Sequence, residues 1–62
     1  MLTLNRKENK FVVFGRVKMY MDNNDIEGSN DFVREAIKLE TLGIIEVAKK
    51  YIPDLEVVSG WQ

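Results

Sequence analysis

Apolar and polar positions alternate most regularly over residues 11–21, FVVFGRVKMYM. Phe11, Val13, Gly15, Val17, Met19 and Met21 fall on one side without a charge, and Val12, Phe14, Arg16, Lys18 and Tyr20 fall on the other. A period of two in a stretch rich in β-branched and aromatic residues predicts a strand with one dry and one mixed face. Gly15 at its middle predicts a bulge or a close approach beneath a helix. Residues 1–5 are apolar at alternate positions, so a first short strand is expected at about 2–5, with polar residues 6–10 turning the chain.

Residues 22–30, DNNDIEGSN, read as loop, and Ser29 or Asn30 is a natural helix N-cap with Asp31 favoured just inside. From there the period changes. Val33, Ala36, Ile37, Ile44, Val47, Ala48 and Tyr51 form one stripe at helical spacing, which predicts a helix over about 30–51. Lys49 and Lys50 suit its last turn, Pro53 ends it, and residues 55–59, LEVVS, read as a final strand. Glu40 interrupts the stripe, while Leu42 and Ile45 point away from it. Either the helix stops at Gly43 with glycine as a left-handed cap, or it continues and turns its back to a second subunit. Continuity is favoured, because an isolated helical glycine costs only about 1 kcal/mol against alanine.

These elements predict an α+β fold, a single domain over 1–62. It is a small ββαβ layer with one long helix on a short mixed sheet, the last strand parallel to the second through a right-handed crossover. A helix over 30–51 is about 33 Å long, and a strand over 11–21 roughly 36 Å, so one can cover the other. One helix covers one face of such a sheet. Dimerisation is therefore expected to cover what remains, with Phe14, Tyr20, Leu42, Ile45 and Trp61 as the candidate interface.

Composition sharpens this. A chain of 62 residues hides only ~60% of its unfolded surface, and small folds usually compensate with disulfides, metals or partner subunits. With no cysteine and no histidine, thiolate nucleophiles, zinc sites of the common kinds and Ser–His–Asp chemistry are excluded. Ser29 and Ser59 lie in no nucleophile-elbow pattern. Carboxylate pairs survive, but they need a concave apolar wall that one small core hardly supplies. The expectation is a protein that is not an enzyme, with no cofactor and no metal site. The longest purely apolar run, 11–14, is far below the ~20 residues of a membrane helix. With no signal-type apolar region either, a cytoplasmic location without membrane partners is expected.

Three local patterns invite sharper readings. Residues 1–20 carry Arg6, Lys7, Lys10, Arg16 and Lys18 against Glu8, a local +4, whereas residues 21–46 carry two cations and seven acids, a local −5. On a strand, Phe14, Arg16, Lys18 and Tyr20 would form an aromatic and cationic face. Single-stranded nucleic acid is bound by such faces, with Lys10 as a further contact. A solvated sheet face covered by a partner explains the same residues more simply. Asn23, Asp25, Glu27, Gly28, Ser29 and Asp31 follow an EF-hand spacing, yet the twelfth position is Arg34 where a bidentate glutamate is required, so calcium is not expected. Val33-Arg34-Glu35-Ala36-Ile37 followed by Leu39-Glu40-Thr41-Leu42-Gly43-Ile44-Ile45-Glu46 resembles the recognition helix and turn of GntR-type winged-helix regulators. The two helices that should precede it are replaced by a predicted strand, so the segment is read as a generic amphipathic helix.

The resulting expectation is a small interaction module acting through protein–protein contacts as a homodimer. A protein partner is favoured over nucleic acid, and single-stranded nucleic-acid binding through Arg16, Lys18 and Lys10 is the alternative.

Overall fold

A computed structural model describes residues 2–60, and the candidate contact Trp61 lies outside them. The elements in order are β1 (Thr3–Asn5), α1 (Lys10–Asn23), α2 (Ser29–Ala36), α3 (Thr41–Tyr51) and β2 (Glu56–Val58). The fold is mixed α+β: three helices and a two-stranded parallel sheet. Both terminal strands lie where the alternation placed them. The middle of the chain differs from the expected ββαβ layer.

Residues 11–21 are not a strand; they lie within α1. Asn9 caps this helix, its side-chain oxygen accepting from the backbone N–H of Phe11 at 2.8 Å. Val13, Val17 and Met21, one helical row at i, i+4 and i+8, are buried. The helix ends where Asn24 donates from its side chain to the Tyr20 carbonyl at 2.9 Å and Asp25 takes a left-handed conformation, φ 53°.

The long helix over 30–51 is also corrected: it is two helices separated by residues 37–40. The break falls earlier than Gly43, which lies inside α3. Glu40 adopts an extended conformation before α3, and its carboxylate reaches out to Lys10 at 3.0 Å. An acid inside an apolar stripe therefore marks an interruption of that stripe. A Cβ on Gly43 would stand 3.0 Å from the Leu39 Cβ, so the glycine lets the turn fold close over the first turn of α3. At the start of α2, Gly28 has φ 98°, and the Tyr51 ring occupies the space where a Cβ would project.

Each helix packs against the other two. Their shared core contains Val13, Val17, Met21, Phe32, Ala36, Ile44, Ile45, Val47, Ala48 and Ile52, with Leu4 contributed by β1. Phe32 is its centre of aromatic contact, tilted against Phe14 with ring centroids 5.4 Å apart and edge-on to Tyr51 at 6.3 Å. After Ile52 and Pro53 the chain returns so that β2 lies parallel to β1, with Thr3 opposite Glu56, Leu4 opposite Val57 and Asn5 opposite Val58. The parallel partner of the last strand is thus the first strand, and the crossover between them consists of all three helices.

Candidate functional site

The helical conformation of α1 redistributes the residues that a strand would have grouped. Alternate positions share a strand face but lie about 200° apart on a helix. Phe14 turns into the core against Phe32, and Tyr20 packs partly buried against that core on the other flank. Arg16 lies 3.7 Å from Glu8, Lys18 bonds Asp22 at 2.6 Å and Lys10 bonds Glu40 at 3.0 Å. The interleaved aromatic and cationic platform is therefore not formed, and each of its three candidate cations stands in an ion pair.

The expected contact residues separate in the same way. Ile45 is only 1% exposed and belongs to the core, because the buried face of α3 is wide enough to take it beside Ile44, Val47 and Ala48. Leu42 remains outside, 58% exposed. Phe14 and Tyr20 are half-buried members of the fold rather than free surface.

The residues left in solvent are others. Phe11 is 72% exposed, Met19 64%, and Val12 is exposed beside them. At about 100° per residue these three, together with Gly15, form one outward stripe of α1, opposite the inward row of Val13, Val17 and Met21. A Cβ on Gly15 would meet no atom within 4 Å. Arg16 and Asn23, also exposed, lie along one edge of the stripe, and exposed Asp22 falls within it at the C-terminal end of α1. Beside its N-terminal end, Phe11, Phe14, Ile37 and Leu39 line an apolar cleft of about 120 Å³ with Lys10 at its mouth. On the other flank Met19 and Tyr20 border a shallow depression with Leu2 and Arg16. The outward stripe was missed because its members were split between the two faces of a presumed strand. The residue that marks the helix is Asn9, as its N-cap.

The acidic loop after α1 is bound up with packing. Asp31 pairs with Arg34 at 2.8 Å, and among the described residues no group of three potential ligands could hold a metal ion. Glu35 of α2 bridges to α3, accepting from the Tyr51 hydroxyl and from Lys50 at 3.0 Å. The Tyr51 hydroxyl and the Lys50 ammonium hold the Glu35 carboxyl below the usual carboxylate range. Reciprocally, the carboxylate pushes Tyr51 up to about 12. Lys18 likewise lowers Asp22. The cleft brings together no acid–base pair, since Lys10 is its one ionisable residue.

The segment resembling a winged-helix recognition element spans the end of α2, the turn and the start of α3, and one helix, α1, does precede it. On the solvent side of α3, Leu42 and Glu46 stand beside Lys49 and Lys50, and both lysines are engaged by carboxylates. No helix among the described residues is long and apolar enough to cross a membrane. Comparison with protein-family models, with curated proteins and with solved structures finds no match to this chain.

Proposed function

We propose that the chain is a small non-catalytic interaction module acting through protein–protein contacts as a homodimer, with the outward stripe of α1 as its contact surface. The observation that carries this reading is that α1 holds large apolar side chains on both sides. One side fills the core, while the other holds Phe11, Val12 and Met19 in solvent. Phe11, Val12 and Met19 stand among Arg16, Asp22 and Asn23 on that outer side, and an apolar patch rimmed by polar residues is the usual mark of a contact surface. Covering one large apolar side chain contributes roughly 1.5–3 kcal/mol, a substantial share of the ~3–5 kcal/mol that a core of this size supplies. A cytoplasmic, reducing setting suits a chain without cysteine.

Light scattering over a concentration series tests the reading. The mass should rise from the 7.2 kDa of one chain towards twice that value. Met19→Glu should hold it at one chain while leaving the fold intact. A wild-type mass of one chain at every concentration overturns the proposal. Nucleic-acid binding has less support, since Phe14 and Tyr20 turn inward and Lys10, Arg16 and Lys18 are paired.

A further inference from the structure

Resting on that reading, we infer that the second copy packs antiparallel along α1, about a two-fold axis passing beside Gly15. The first support is where unpaired charge stands. Among the described residues, Arg6 and Lys7, just before α1, belong to no ion pair, and neither do Asp25 and Glu27, just after it. The cations and acids nearest the ends of α1 otherwise neutralise one another as Glu8 with Arg16 and Lys18 with Asp22. The helix is about 21 Å long, so it carries free positive charge at one end and free negative charge at the other. An antiparallel pair sets each basic end against an acidic end, twice by symmetry, whereas a parallel pair sets like against like. The helix dipoles follow the same preference.

The second support is Gly15 itself. Its own fold leaves the space around it empty, so nothing inside the subunit requires glycine there. It lies midway between Phe11 and Met19 on the exposed stripe, where a missing side chain lets a second backbone approach closely. Antiparallel packing about Gly15 then places each Phe11 opposite Met19 of the partner subunit. A thioether against an aromatic ring is a favourable contact. One helix face is a small footprint, below the ~1,200 Å² at which specific interfaces become standard. The dimer is therefore a reversible one, formed at micromolar concentrations and above.

Cysteine cross-linking reads this geometry directly, because the chain contains no thiol of its own. Gly15→Cys points into open space, and Phe11→Cys and Met19→Cys replace exposed side chains, so all three variants should fold. Under mild oxidation at a concentration where wild type is dimeric, Gly15→Cys should link to itself. Phe11→Cys mixed with Met19→Cys should give the mixed pair in large excess over either self-linked product. A charge exchange gives an independent reading. Lys7→Glu should weaken association several-fold, and Glu27→Lys likewise, while the double variant should return to wild-type affinity. Glu27 is the better partner than Asp25, whose left-handed backbone tolerates lysine poorly. Phe11→Cys linking to itself as readily as to Met19→Cys would overturn the antiparallel arrangement while leaving the homodimer intact. A dimeric wild type in which no variant cross-links moves the interface to another surface. A wild type that never dimerises defeats both proposals.

Discussion

Glycines 15 and 28 have opposite surroundings, and their substitution should have opposite effects. At Gly28 the backbone has φ 98°, and an added Cβ would come within 2.8 Å of the Tyr51 ring. That ring is fixed by Glu35 on one side and Phe32 on the other, so it has little room to yield. Gly28→Ala should cost about 2 kcal/mol from the left-handed backbone and the crowded ring. Gly15→Ala, measured where the chain is monomeric, should instead stabilise by up to about 1 kcal/mol. Urea unfolding of the two variants checks both signs. The Glu35–Tyr51 link makes a separate prediction. Tyrosine held at about 12 in the fold keeps its proton between the unfolded value near 10 and that point. Its contribution to stability is thus complete below about pH 10 and lost as pH rises through about 12. In a Tyr20→Phe background, where Tyr51 is the remaining tyrosine, phenolate absorbance should rise well above pH 10; a midpoint at 10 would mean that the link is absent.

At the scale of elements, the two short strands were legible because their alternation had no competing period. The first helix was hidden by an arithmetic coincidence: steps of four are also steps of two, so the row Val13, Val17, Met21 fits a strand face and a helix face equally well. Phe11, Gly15 and Met19 separate the two cases, being inward on a strand and outward on the helix. Asn9, the cap of α1, falls in the stretch read as a polar turn, and apolar side chains on both sides of α1 blur the usual contrast between a wet and a dry face. In the second half the apolar stripe indicates helix, as found, but the favoured continuity over 30–51 is not found: the helix breaks at 37–40, beside Glu40. Ile45 lies about 100° from Ile44, on the flank of the face that Ile44, Val47 and Ala48 bury, so the buried face of α3 is wider than the expected stripe. The distinction at α1 can be tested by two substitutions that a strand would treat alike. Val17→Glu should abolish the cooperative fold by placing a charge in the core, whereas Met19→Glu should alter monomer stability by no more than ~0.5 kcal/mol. Equal loss of ellipticity in both variants would contradict the helix.

As a whole, the molecule closes on itself with little surface to spare. Its accessible area, 4214 Å², is close to the ~4,100 Å² that size scaling gives for a compact monomer of 7.2 kDa. Its radius of gyration, 10.5 Å, also matches the ~10.6 Å expected for this length. The fold does not therefore need a partner to complete its core, contrary to what one helix on a sheet would have required. What a partner would cover is the second apolar face of α1. The association proposed for that face would then be reversible and concentration-dependent, and separate from folding. The six ion pairs among the described residues lie largely in solvent and contribute little stability singly. Their effect on this surface is to leave free charge before and after α1. The most direct measurement is a dilution series followed by backbone amide shifts of isotope-labelled wild-type chain. The two-faced helix predicts concentration-dependent shifts centred on Phe11, Val12, Gly15 and Met19, with Val13, Val17 and Met21 moving far less. Spectra that do not change with concentration, or changes that leave α1 untouched, would contradict it.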